Sequence, residues 1–176
     1  MKTSFELLSD SQWEFIKETF ELYEEALKRN VLLESGKISP FAFTNIVAVA
    51  LGLKKYDWTW NFIHKYTLHL PSKTKQAYTD YNLSRWHFHQ QEYQKAEELL
   101  VADDFEDLHL NLSAKMLLLK IYYELRELQL LDGLLNRFRT YLSRQKNWFT
   151  TKKIIIILFD LLNVWSISTP FQKRLN

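Results

Sequence analysis

Cysteine is absent from the chain, and with it go disulfides, thiolate metal sites and cysteine nucleophiles. Glycine and proline are scarce, three of each in 176 residues. That is too few for the many tight turns of a sandwich or barrel, and too few for the glycine-rich loops that cradle phosphates or dinucleotides. No apolar run is long enough to span a bilayer. The most apolar stretch, residues 154–165, is short and carries Asp160 in its middle, so it reads as a buried helix and no membrane partner is expected. The N-terminal segment MKTSFELLSDSQW has acidic and polar residues where a secretory signal needs an uninterrupted apolar core; the expected location is cytoplasmic.

Hydrophobic residues make up 47% of the chain and aromatic residues 15%, a composition that supports a packed core. Leu, Lys, Glu and Gln are abundant and favour helix, and no two-residue hairpin signal is evident, so the expected class is all-α. Charge is uneven: residues 1–125 hold 14 basic against 18 acidic side chains, and residues 126–176 hold 9 against 3. Arg137, Arg139, Arg144, Lys146, Lys152 and Lys153 make segment 137–153 a candidate anion-facing surface, although cations near helix ends give the same pattern for a plainer reason.

Helix boundaries follow from caps and breaks. A first helix starts after Ser9 or Ser11, the latter followed by Glu14 in capping-box spacing, and carries Trp13, Ile16, Phe20, Tyr23 and Leu27 as its apolar stripe to about Asn30. A turn holds Gly36, and Ser39 with Pro40 opens a second helix that runs to about Lys54. Asp57 is the expected cap of a third helix, which Pro71 stops. A fourth and fifth helix flank the break at Gln90–Glu92, residues 101–111 form a polar connector, and helices follow over 112–125, 128–145 and 149–167. No linker rich in Gly, Ser or Pro divides the chain. One domain is expected, with an N-terminal helix in 1–38, helix pairs in 39–145 and a capping helix in 146–176.

The segment YNLSRWHFHQQEYQKAEELL, residues 81–100, repeats in outline when slid by 35 positions. Trp58, Tyr93 and Leu128 coincide, as do Leu51, Trp86 and Ile121, and Leu83 meets Leu118. With Leu83 and small Ser84 in a first helix, a turn at Gln91–Glu92, then Tyr93 and small Ala96 in a second, this unit resembles the tetratricopeptide repeat. The next unit departs from the pattern with Leu119 and Leu131 at the small positions, and the one before has Asn61 where Ala96 sits. The resemblance implies seven to eight helices in antiparallel pairs, stacked as a right-handed superhelix (an α-solenoid) whose first helices line a concave groove. It also implies groove-lining roles for Asn82, Arg85 and His89, for Lys120 in the next unit, and for Lys54 in the one before.

Sites of other kinds find little support in the spacing. The histidines, His64, His69, His87, His89 and His109, contain no i,i+4 pair suited to a metal on one helix face; His87 reads as a packing residue and His89 as a surface one. The acidic groups at 97–98 and 103–107 read as solvated surface, without calcium-loop spacing. Of the six tryptophans, Trp60 and Trp148 are expected to be the exposed ones. No catalytic motif, cofactor or metal is expected. The leading expectation is a non-catalytic scaffold module that binds a protein or peptide segment, or packs with further helices of a longer parent chain. Nucleic-acid or other anion binding through 137–153 ranks second, and an enzyme with a site assembled from distant residues ranks last.

Overall fold

The computed structural model describes residues 9–102 and 105–144. Among them the chain forms seven α-helices and a small hairpin: α1 (Asp10–Lys28), β1 (Leu33–Glu34), β2 (Lys37–Ile38), α2 (Pro40–Gly52), α3 (Tyr56–Tyr66), α4 (Lys75–His89), α5 (Tyr93–Val101), α6 (Leu108–Glu124) and α7 (Leu128–Arg144). The protein is thus mostly helical, as its composition dictates. The helix expected at 149–167 lies outside the described residues, as do Trp148 and Lys146 to Lys153. Ser9–Leu131 forms one compact unit, and the rest of α7 from Asp132 belongs to a second.

Local chemistry corrects several expected boundaries. Of the two serines expected to open α1, Ser9 is the cap: its backbone N–H donates to Gln12 Oε1 at 2.9 Å, and its hydroxyl accepts from the Gln12 N–H at 3.4 Å. The segment after α1 forms the antiparallel pair Leu33↔Ile38 and Glu34↔Lys37, a hairpin missing from the expected all-helical list. Its two central residues, Ser35 and Gly36, both have positive φ (50° and 76°), the geometry that matches strand twist in a two-residue turn. Ser at the first of these positions hides the familiar Asn-Gly signature. Lys55, not Asp57, precedes α3, which leaves Asp57 in the first turn, where its charge faces the helix N-terminus. The sixth helix begins earlier than expected because the Asp107 carboxylate accepts the Leu110 N–H at 2.8 Å.

Helices α1, α2, α4 and α6 all end the same way. The N–H groups of Val31, Lys55, Glu92 and Glu127 each reach back five residues, to the carbonyls of Ala26, Ala50, His87 and Tyr122. The residue before each donor is left-handed: Asn30, Lys54, Gln91 and Arg126, with φ of 55–61°. This is the Schellman arrangement, here without glycine. After Lys54 and Gln91 the next residues also match, Lys55 at φ −83°, ψ 61° and Glu92 at φ −87°, ψ 63°. The backbone therefore equates Tyr56, rather than Trp58, with Tyr93. Lys54 and Gln91 lie two residues further apart in sequence than Gln91 and Arg126, because the 3-10 turn Thr67–His69 and the loop at Pro71 lengthen that unit.

With this register the small-residue position of α3 falls on Thr59 and not on Asn61. Thr59 and Ala96 are both fully buried. Thr59 hides its hydroxyl by donating to the Lys55 carbonyl at 2.8 Å, which removes the cost of an unpaired buried polar group. Helix α4 packs against α2, α3, α5 and α6, so α2 and α6 both lie beside it. The core runs through Phe43, Ile46, Val47 and Leu51 of α2, Phe62 and Ile63 of α3, and Leu118 and Ile121 of α6. Phe20 of α1 closes it edge-on against Trp58, centroids 4.8 Å apart.

Candidate functional site

Helix α4 places Tyr81, Arg85 and His89 at successive i,i+4 positions, hence along one face. Arg85 is held from two sides. Its Nη1 donates to the Thr44 carbonyl of α2 at 3.1 Å and to Asn82 Oδ1 at 3.3 Å, and its guanidinium carbon lies 5.7 Å from the centre of the Tyr81 ring. Both acceptors are neutral, so the guanidinium charge is fixed in place without being cancelled. Burial lowers the Arg85 pKa, an effect Tyr81 opposes.

Two further bases lie on neighbouring positions: His89 one turn beyond Arg85 on α4, and Lys120 on α6, which packs against α4. The His89 pKa is lowered to about 4, first by burial and then by Arg85 and Lys120; the ring is neutral at neutral pH and lies 6.3 Å from that of Tyr56. Lys120 is exposed by area, yet its pKa is lowered by desolvation and then by Arg85. Among the described residues no carboxylate forms an ion pair with Arg85 or Lys120; the four pairs present are Glu14–Lys17, Glu25–Arg29, His87–Glu92 and Glu92–Lys95.

Of the five groove residues expected from sequence, Arg85, His89 and Lys120 come together. Asn82 does not offer itself to a partner. It is fully buried, donating to the Tyr78 carbonyl at 2.8 Å and to the Thr44 hydroxyl at 3.1 Å while accepting from Arg85, so it braces the guanidinium from below. Lys54 sits in the turn between α2 and α3, exposed and left-handed, at the position of Gln91 rather than of His89. His89, read from sequence as a surface residue, is half-buried. Thr44 and Tyr81 escaped the sequence reading, although Tyr81 lies one turn before Arg85, where a ring meets a cation.

A second polar cluster faces elsewhere. Trp60 of α3, 37% exposed as expected, meets Trp86 of α4 with centroids 4.6 Å apart and His64 at 4.1 Å. The Trp86 indole N–H donates to the Tyr56 carbonyl at 2.9 Å. Beside it His87 Nδ1 lies 2.6 Å from Glu92 Oε2 across the α4–α5 turn. Lys95 and then His87 hold the Glu92 carboxyl below its ordinary pKa. These contacts satisfy one another and staple the turn. A recess of about 440 Å³ between α1, the hairpin and α3 is walled by Trp58, Phe62 and Tyr66, with Glu24, Lys28 and Lys65 bringing charges of both signs. It gathers no set of groups that reinforce one another, so the cationic cluster is the better candidate. Among the described residues no three His, Asp or Glu side chains converge on a common metal position, and no helix is long and apolar enough to cross a membrane.

Searches against family models, curated proteins and solved structures return no match for this chain.

Proposed function

We propose that the chain is a non-catalytic helical-repeat module, similar to tetratricopeptide repeats, that holds a peptide or protein segment against the face formed by α2, α4 and α6. The observation carrying this reading is the cluster of Arg85, His89 and Lys120 on two neighbouring first helices, with its positive charge uncancelled by any described carboxylate. Fixed, partly desolvated charges without partners cost stability and gain a role where a ligand supplies the missing acceptor. The repeated turns support the repeat reading, because each pair reverses direction through the same hydrogen bonds. A right-handed stack would set the first helices on a concave side, the side a long segment contacts most fully.

The test is the double reversal Arg85→Glu with Lys120→Glu. Partner segments captured from native lysate by the unaltered chain are identified, then titrated against both forms. The expected result is at least tenfold weaker binding by the double variant with unchanged helicity. Equal affinity for every captured partner would remove the α4–α6 face as the contact surface.

A further inference from the structure

We propose that the recess between α1, the hairpin and α3 is a binding site for a small zwitterionic aromatic molecule, of the kind a free aromatic amino acid represents. The proposal is independent of the peptide-binding reading, which concerns α2, α4 and α6. The space, about 440 Å³, lies in the range of cavities that hold small ligands, and its walls are tied at both ends. At one end Phe20 of α1 meets Trp58 of α3 edge-on, centroids 4.8 Å apart. At the other, His69 Nδ1–H donates to the Gly36 carbonyl of the hairpin at 2.9 Å. The cavity is therefore formed before anything enters it, which spares a ligand the cost of ordering its own site.

The back wall is aromatic. Trp58, Phe62 and Tyr66 follow one another at i,i+4 spacing along α3, so one face of the helix carries a row of rings. Trp58 and Phe62 lie stacked, centroids 5.3 Å apart and planes 5° from parallel, and Phe62 continues to Tyr66 at 4.9 Å. Phe62 and Tyr66 are buried, while Trp58 is only half-buried and lines the recess, offering ring surface to a flat body.

The rim carries both signs of charge. Glu24 and Lys28 stand one turn apart on α1, and both line the recess. Glu25 and Arg29, at the same spacing on the same helix, close an ion pair at 2.6 Å; Glu24 and Lys28 enter none of the ion pairs among the described residues. On α3 the rim adds Asn61 and Lys65, the Lys65 Nζ lying 5.1 Å from the centre of the Tyr66 ring. A purely anionic ligand meets Glu24, and a purely cationic one meets the two lysines. A ligand bearing an ammonium and a carboxylate suits both, and side chains one helical turn apart can converge on two groups borne by the same carbon.

Calorimetric titration with L-tryptophan, tryptamine, indole-3-propionate and L-leucine separates the requirements for carboxylate, ammonium and ring. Saturable binding of L-tryptophan is expected, with each of the other three about tenfold weaker or worse. Glu24→Gln and Lys28→Gln are each expected to weaken tryptophan by about the same factor, while Glu25→Gln and Arg29→Gln leave it unchanged; helicity is expected to stay the same in all four. In nitrogen-15-labelled protein the Trp58 indole N–H signal is expected to shift on adding tryptophan, and that of Trp86 to stay. No saturation at millimolar tryptophan, a single-charge analogue binding as tightly, equal losses in the Glu25 and Arg29 variants, or a shift at Trp86 without one at Trp58 would overturn the proposal.

Discussion

The Ser84 hydroxyl of α4 donates to the Ala96 carbonyl of α5 at 2.8 Å, with both residues fully buried. A side-chain donor this short reaches a neighbouring helix backbone only where the two helices approach closely. The pair therefore marks a close approach of α4 and α5, which the small side chains of Ser84 and Ala96 permit in this unit.

Enlarging Ala96 tests that closeness. Ala96→Leu is expected to destabilise the fold by about 1–3 kcal/mol, because the inserted methylenes must push α4 away and stretch the Ser84 bond. Chemical denaturation followed by circular dichroism measures it; an unchanged midpoint would place Ala96 away from the crossing.

Removing the donor is milder. Ser84→Ala deletes one buried hydrogen bond and leaves the Ala96 carbonyl its place within α5, so a loss of about 0.5–1.5 kcal/mol is expected. In the double variant Ser84→Ala with Ala96→Leu the two effects are expected to be non-additive, as for any pair in direct contact.

Asn82→Leu is expected to cost more than Ser84→Ala, about 1–3 kcal/mol, since it strips partners from the Tyr78 carbonyl, the Thr44 hydroxyl and the Arg85 guanidinium together. Urea titration reads the stability. A parallel loss of affinity for the captured partner segments is expected from the released Arg85, because Asn82 positions the cation.

Stability is expected to fall on acidification because of His89. Its folded pKa, about 4, lies below the ordinary 6.5, so above 6.5 the ring is neutral in both folded and unfolded chains and no proton is exchanged. Below 6.5 the unfolded chain binds a proton that the folded chain refuses until about pH 4. The loss accumulates across that interval and amounts to about 2–3 kcal/mol. Denaturation midpoints measured across this range are expected to decline less steeply in His89→Gln; parallel declines would show that other groups dominate.

The sequence and the structure agree where patterns are local and repeated. Apolar spacing and breaks located every described helix, and Ser84 and Ala96 were recognisable as the small pair. The two-residue offset at Thr59 was not, because Trp58 and Tyr93 match as aromatics and nothing in composition reveals that the 3-10 turn has lengthened the loop. The hairpin was hidden by Ser35 at a position where asparagine would have announced it. At the candidate site, the 35-residue spacing sets Arg85 and Lys120 at equivalent places on α4 and α6, two helices that pack together. The inward turn of Asn82 and the fixing of Arg85 depend on Thr44, a residue about forty positions earlier in the chain, and no periodicity carries that information.

The three turns that join helix to helix have a consequence for heat tolerance. Lys54, Gln91 and Arg126 are long side chains in a backbone shape that suits glycine, and each costs about 1–2 kcal/mol for its Cβ against the neighbouring carbonyl. Part of that cost would return on substitution by glycine, reduced by the extra freedom glycine gives the unfolded chain. The protein therefore sits below the thermal ceiling its own architecture permits. The margin is adjustable at three exposed corners that belong neither to the core nor to the cationic face of α4.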